Sequence, residues 1–166
     1  MPSTTAPTPA DSITNPSAGP LRRVAALVYD SLLLIALSLA YGFLGVAITV
    51  VITGADPQTL EPIAASPWLF IGWVITLALF YCVFWRRGGQ TLGMRAWRLK
   101  LERDTEGDGG GTIPGWRECL LRCLVAPPAL AAAGLGYWWC YFDPKGRSLQ
   151  DRLSATRVVV VPKAGR

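Results

Sequence analysis

Two long stretches without a charged residue dominate the pattern of apolar and polar positions along this chain. They run from Ser31 to Thr53 and from Ile63 to Trp85, and each is 23 residues long. At about 1.5 Å per residue, a helix of that length reaches about 34 Å, enough for a hydrocarbon core of about 30 Å. The pattern therefore predicts two transmembrane helices, over about residues 24–53 and 63–85.

A third apolar stretch, over about residues 119–142, differs from the first two because Pro127 and Pro128 interrupt it. The tail that follows, residues 143–166, holds six basic and two acidic residues. Basic residues are in excess on the cytoplasmic side, so a full crossing would put this tail on the wrong side of the membrane. We therefore predict a broken third segment, hairpin-like or re-entrant, with both termini in the cytoplasm.

Apolar and charged residues alternate after the second span. In residues 96–102 the apolar Trp97, Leu99 and Leu101 are separated by charged side chains, which is the period-two pattern of a half-buried strand. The valine run at residues 157–161 predicts a second strand. The two can pair only on one side of the membrane, because open sheet edges do not occur in lipid. The expected fold class is an all-α integral membrane protein with a small cytoplasmic two-stranded β element.

The segments outside the spans complete the predicted domain division. Residues 1–20 are rich in Pro, Ser, Thr and Ala, bury too little apolar surface to order themselves, and are expected to form a disordered tail. Residues 21–161 are expected to form one membrane domain, with 86–118 as a cytoplasmic loop and 162–166 as a short tail. Two arginines open the first span and favour a cytoplasmic amino terminus.

Composition agrees with the membrane class and argues against several kinds of function. The chain is 51% hydrophobic and 16% charged, with a mean hydropathy of +0.34. Its net charge of +5 is clustered beside apolar spans, which favours topology signals and lipid headgroups over nucleic acid. There is no histidine and no C-x-x-C among the four cysteines, so neither a metal nor a cofactor is expected. Without a nucleotide loop or a nucleophile beside a base, an enzyme is not expected either.

One carboxylate, Asp30, lies at the start of the first apolar run, where an unpaired charge costs about 2.5–3.5 kcal/mol. Arg23 is seven residues earlier, on the same helix face but about 10.5 Å away along the axis. Helical side chains point towards the amino terminus, so we expect Asp30 to face Arg122 or a water-filled vestibule instead. Asp151 is expected to accept bonds from backbone N–H groups or from an arginine. These four residues form a candidate charge network for a proton or a monovalent cation.

Three short patterns and one arginine carry a resemblance to a known family. The matching positions are Arg23, Ala26 and Asp30 (R-x-x-A-x-x-x-D), Gly89, Gln90, Thr91, Gly93 and Arg95 (G-Q-T-x-G-x-R), Arg147, Asp151, Thr156, Val158 and Val159 (R-x-x-x-D-x-x-x-x-T-x-V-V), and Arg122. Their order and spacing around two apolar spans, from Leu21 to Val161, resemble the RDD family of small bacterial integral membrane proteins. Many members carry His-Asp where this chain has Gln150-Asp151, so a proton relay through histidine is not supported here.

The resemblance implies a multi-pass protein of the bacterial cytoplasmic (inner) membrane, in a family for which transport of ions or small ligands has been suggested. A structural role is expected for its other motif residues: Gly89, Gln90, Thr91, Gly93, Arg95, Arg147 and Thr156. Two functions stay open: transport of a monovalent cation, a proton or a small solute by a homo-oligomer, or a non-catalytic module that scaffolds or regulates a partner complex in the membrane. A stripe of small residues on the first helix offers a seam for the oligomer: Ser31, Ser38, Gly42, Gly45 and Thr49.

Overall fold

A computed structural model describes residues 16–60, 62, 66–104, 111–131 and 134–162 of the chain. In chain order the elements of these residues are α1 (Pro20–Thr53), α2 (Pro67–Gly88), α3 (Leu92–Ala96), β1 (Leu99–Arg103), α4 (Trp116–Ala131), α5 (Leu135–Trp138), α6 (Leu149–Leu153) and β2 (Thr156–Val160). Short 3-10 turns at Pro57–Thr59 and Trp139–Tyr141 join some of them. The protein is thus mainly helical, with one small sheet.

The two long helices follow the two uncharged stretches of the sequence. α1 has 34 residues and α2 has 22, and both are long and apolar enough to cross a membrane. Each begins with a proline in its first turn and ends at a glycine with a positive φ, Gly54 at 68° and Gly89 at 69°. Their apolar side chains are largely exposed, as expected for surfaces that meet lipid. The two predicted apolar helices are confirmed, although residues 63–65 of the predicted second span lie outside the described residues.

Two polar contacts hold α1 and α2 together. The hydroxyl of Tyr41 donates to the carbonyl oxygen of Leu69 at 2.9 Å, and the indole N–H of Trp73 donates to Ser38 Oγ at 3.0 Å. Tyr41 follows Ser38 on α1, whereas its partner Leu69 precedes Trp73 on α2. The two helices therefore run antiparallel. Ser38, one of the small residues predicted to form a seam, therefore has a partner within its own chain.

The predicted strand pair is confirmed. β1 and β2 are antiparallel, in a register that pairs Leu99 with Val160 and Leu101 with Val158. The first strand starts later than predicted, because α3 precedes it and Arg98 takes a left-handed conformation with φ of 55°. Trp97 is therefore 43% exposed instead of sharing the buried face of Leu99 and Leu101.

Residues 16–20 differ from the disordered tail predicted for residues 1–20. The amide of Val160 donates to the carbonyl oxygen of Pro16 at 3.0 Å, and the amide of Ala18 donates to that of Val158 at 2.9 Å. The chain therefore lies along β2 before α1 begins. Residues 1–15 fall outside the part of the chain that the structure describes.

The third apolar segment is broken, but not where the prolines predicted. α4 continues through Pro127 and Pro128 to Ala131, and Gly134, with φ of 72°, then precedes α5. Each proline removes one N–H donor from the helix, yet its fixed φ is compatible with helical geometry. The helices on either side of the break are bent by 106° relative to one another.

Candidate functional site

Asp151 lies between two arginines from distant parts of the chain. Its Oδ2 pairs with Nη1 of Arg23, from the start of α1, and its Oδ1 accepts from Nη1 of Arg122, on α4, at 2.5 Å. Ser148 and Asp151 form a reciprocal capping box at the start of α6, which fixes the carboxylate in place. The three charged side chains, here called the Arg–Asp–Arg cluster (Arg23, Asp151 and Arg122), are all buried.

Neutral groups bind the rest of the two guanidinium groups. Arg23 donates from Nε to the carbonyl oxygen of Ala18 at 2.8 Å and from Nη1 to Ser148 Oγ at 2.9 Å. Arg122 donates from Nη1 to Thr156 Oγ1 at 2.9 Å, and its Cζ lies 5.6 Å from the ring centroid of Trp85. The cluster thus ties α1, α2, α4 and the last two elements of the fold to one another.

The two arginines also set the charge state of Asp151. Burial by itself raises the pKa of this fully enclosed carboxyl, but the charges of Arg122 and Arg23 and their hydrogen bonds outweigh burial and lower it to about 2. Asp151 is therefore a carboxylate at neutral pH. With one anion between two cations, the cluster keeps a net positive charge.

Asp30 lies apart from those bonds, in a cradle made by the G-Q-T-x-G element. Its Oδ2 accepts from Thr91 Oγ1 at 2.5 Å, and its Oδ1 accepts from the backbone N–H of Gly93 at 2.8 Å. Thr91 also caps α3, because its side chain accepts from the N–H of Met94 at 3.2 Å. Asp30 is 3% exposed, and its hydrogen-bond donors within the described parts of the chain are both neutral.

Of the two alternatives expected for Asp30, a bond to Arg122 was wrong, whereas a water-filled vestibule stays a prediction. Arg122 pairs with Asp151, and among the described residues no arginine hydrogen-bonds to Asp30. Arg23 makes no direct contact of that kind either, in agreement with the helix geometry. The sequence could not show this, because Thr91 and Gly93 lie more than 60 residues from Asp30. The T-x-G spacing, a helix cap followed by a residue without a side chain, is the signal that could have indicated a cradle for an anion.

Gly93 is required by this geometry. A Cβ at this position would lie 2.8 Å from Asp30 Oδ1 and closer still to the carbonyl oxygen of Ala26. Only a glycine lets α3 approach α1 closely enough for its backbone N–H to reach the carboxylate. The motif glycine therefore contributes its backbone N–H to the cradle of Asp30.

The other motif residues organise the surroundings of the cradle and of the last elements. Gly89 ends α2, and the amide of Gln90 donates from Nε2 to the carbonyl oxygen of Leu99 at 2.7 Å, which joins the element to β1. Arg95 is exposed on α3. Arg147 pairs with Asp104 at 2.6 Å and with Asp143 at 3.1 Å. Hydrogen bonds from Arg147 lower the pKa of the Asp143 carboxyl.

A cavity of about 510 Å³ opens between α1, α2 and α4. Asp30, Arg23 and Arg122 all lie at its wall, so it joins the cradle and the Arg–Asp–Arg cluster. The rest of the wall is mainly apolar and includes Leu34, Trp73, Leu77, Ala78, Ala126 and Leu130. The four predicted charged residues are therefore near one another, but they form two separate sets of bonds.

Three buried polar side chains near the site were not predicted from the sequence. Tyr81 OH and Trp85 Nε1 have no hydrogen-bond partner among the described residues, and both residues line the cavity. Gln150 is fully buried, with neither end of its amide bonded to a described residue. Over those same parts of the chain, no group of three or more Cys, Asp or Glu residues could hold a metal ion.

These features define a class: small helical proteins in which two apolar helices bring a buried aspartate in a Thr–Gly cradle beside an Arg–Asp–Arg cluster. A model of the RDD family matches residues 17–155, and the chain belongs to the RDD family. The resemblance drawn from the short motifs is thus confirmed. No curated protein and no solved structure gives a significant match. The family and the two long apolar helices together indicate a membrane protein.

Proposed function

We propose that this chain is a non-enzymatic membrane transport protein, in which Asp30 exchanges a proton or a monovalent cation, or contacts a small solute. The observation that carries the proposal is the placement of Asp30, which is buried at the wall of the cavity and, among the described residues, is held only by neutral donors. A buried ionisable residue among apolar spans is costly, and such residues commonly mark ion or substrate pathways.

The two aspartates are suited to different tasks. Asp151 is neutralised by two arginines, so an added cation would have to displace a guanidinium. Asp30 accepts two hydrogen bonds and, among the described residues, has no arginine bonded to it. A carboxylate has about four lone-pair sites, so two of them are free to bind a proton or a small cation. The exchange site of the proposal is therefore Asp30, with the Arg–Asp–Arg cluster as its rigid support.

Transport by this chain requires a homo-oligomer in the bacterial inner membrane. Two or three spans do not enclose a pathway by themselves, whereas a closed ring of copies can. The open surface around Gly45 supports a contact between copies of the chain along α1. A Cβ added at Gly45 would meet nothing within 4 Å, so the helix of a neighbouring copy could approach the backbone closely there.

A cytoplasmic location for both ends of the chain is part of the proposal. The pairing of β1 with β2 supports it, because it places the segment after α2 and the carboxyl-terminal strand on one side. The 106° bend after α4 agrees with a re-entrant third segment. On this topology, the polar segments at residues 86–118 and 143–162 share the cytoplasmic face.

A second candidate is a non-catalytic module that holds a membrane partner complex. The Arg–Asp–Arg cluster favours it, since three buried charges that bind one another stabilise an arrangement of elements and leave little for a substrate. In this case the chain would act through its cytoplasmic surface, and Asp30 would only fasten α3 to α1.

Reconstitution of the purified chain into sealed vesicles separates the two candidates. Proton movement is followed with an internal pH dye after a sodium or potassium gradient is applied, and protein-free vesicles serve as the baseline. Transport predicts cation-dependent proton or solute movement by the chain alone, together with a homo-oligomer on cross-linking. Flux at the protein-free level for both cations and for neutral solutes, with one stoichiometric partner in native pull-downs, would support the module instead.

A further inference from the structure

The cavity is elongated and has a polar end and an apolar end. On α1 its wall extends from Arg23 to Leu34, and on antiparallel α2 from Trp85 back to Trp73. These 11 and 12 residue steps correspond to about 16 and 18 Å of helix. The arginine cluster therefore marks one end, and the other end lies deep along the apolar helices.

Several hydrogen-bond donors at the polar end have no described acceptor. Arg122 uses Nη1 for its described bonds, and within the described parts of the chain neither Nε nor Nη2 has an acceptor. Trp85, 7% exposed, has no described partner for its Nε1, and the hydroxyl of Tyr81 is also unpaired. Buried donors without acceptors cost about 1–3 kcal/mol each, so a ligand that supplies acceptor oxygens would be stabilised here.

The deep end of the cavity is lined mainly by apolar side chains instead of hydrogen-bond donors. Leu34, Leu77 and the ring of Trp73 line it, with Leu130 contributed by α4. At 510 Å³ the space lies within the range of about 300–1,000 Å³ that is usual for small-ligand sites.

We propose that this cavity binds a single-chain amphiphile with an anionic head, such as a free fatty acid taken up from the bilayer. The head accepts hydrogen bonds from the free side of the Arg122 guanidinium, and the acyl chain lies along α1 and α2 towards Leu34 and Trp73. Asp30 keeps its own donors, Thr91 and Gly93, so this binding does not depend on cation exchange at Asp30.

A photoreactive fatty acid tests the proposal. The chain, in nanodiscs of zwitterionic lipid, is irradiated with palmitic acid that carries a diazirine in its chain, and the labelled peptides are identified by mass spectrometry. The comparison probe is the alcohol of the same chain length and diazirine position. We expect saturable labelling of α1 and α2 around the deep end, competed by palmitate, with the alcohol at least about tenfold weaker because it lacks a charge-assisted bond.

Two kinds of variant test the site: one changes the shape of the cavity without touching the ion cluster, and the other removes the guanidinium of Arg122. Ala126→Phe places a ring inside the cavity and should abolish the saturable labelling, whereas Ala36→Phe, on an exposed face of α1, should leave it unchanged. Arg122→Gln should remove the preference for the acid over the alcohol. Equal labelling by both probes, labelling unchanged by Ala126→Phe, or a bound two-chain phospholipid in native mass spectra would overturn the proposal.

Discussion

Arg23 and Asp151 are 128 residues apart in the chain and form a direct ion pair that is closed to solvent. One residue opens the first long helix and the other begins the last short one. Arg122, on α4, binds the second oxygen of the same carboxylate. The carboxylate of Asp151 therefore joins α1, α4 and α6. This cluster holds the cradle of Asp30 and the neighbouring cavity in a fixed relation.

Loss of the central carboxylate should be the most destabilising single change in the cluster. Asp151→Asn keeps the size of the side chain but leaves two buried guanidinium groups without a counter-charge. Breaking a buried ion pair in this way costs about 3–5 kcal/mol, and we expect a loss of that order in chemical unfolding of the detergent-solubilised chain.

The matched control for that variant is Asp56→Asn, in the exposed turn after α1. Asparagine can still accept the hydrogen bond from the amide of Gln58 there, so stability should change by less than about 0.5 kcal/mol. Equal effects of the two substitutions would show that the cluster does not stabilise the fold.

Acid should weaken the fold through the same carboxyl. The pKa of Asp151, about 2, lies below its ordinary value of 3.8, so its contribution is complete above about pH 4 and is lost as the pH falls towards 2. The lowered pKa of Asp143 acts in the same direction. Unfolding temperatures from pH 6 to pH 2 should therefore be level at first and fall below about pH 4. A value independent of pH over that range would contradict the assigned ion pairs.

Gly93 should not tolerate even one added methyl group. In Gly93→Ala the new Cβ would lie 2.8 Å from Asp30 Oδ1 and would also clash with the backbone of α1, so α3 must move and the cradle must open. We expect a loss of about 1–3 kcal/mol, the usual range for overpacking a tight contact, in the same unfolding assay.

Gly45→Ala is the matched control for that substitution. Its Cβ would meet nothing within 4 Å, and alanine is favoured over glycine inside a helix by about 1 kcal/mol. The monomer should be unchanged or slightly stabilised. If Gly93→Ala behaved in the same way, the close approach of α3 to α1 would be wrong.

The spacing of apolar residues along the chain predicted the helices and strands well, because this spacing is set within each element by which of its faces is polar and which is apolar. The alternation at Leu99 and Leu101 and the valine run that becomes β2 were enough to predict the strand pair. The start of β1 was missed, because the left-handed turn at Arg98 interrupts the alternation, and arginine carries no signal for that conformation. The break in the third apolar segment was predicted too early, at the two prolines of α4. Proline favours a helix end but does not require one.

The site was harder to predict than the fold. The four charged residues came from their positions around the spans and from the family resemblance, but their pairing depends on how helices from distant parts of the chain pack. Asp30 was expected to face Arg122 or a water-filled vestibule, and its hydrogen bonds come from Thr91 and Gly93 instead of Arg122. The S-x-x-D spacing of Ser148 and Asp151 is a signal for the cap of α6, but the bond of Ser148 to Arg23 arises only when α6 meets the start of α1.

The role of Asp30 is most directly tested by cation-driven proton flux in vesicles that hold either the wild-type chain or Asp30→Asn, matched for inserted protein and with Asp56→Asn as control. Asparagine can accept from the N–H of Gly93 with its amide oxygen and donate to Thr91 Oγ1 with its amide nitrogen, but it carries no exchangeable charge. Insertion should therefore be retained while flux falls to the level of protein-free vesicles. The control should carry wild-type flux. Flux through Asp30→Asn equal to the wild type would remove this aspartate from the transport site.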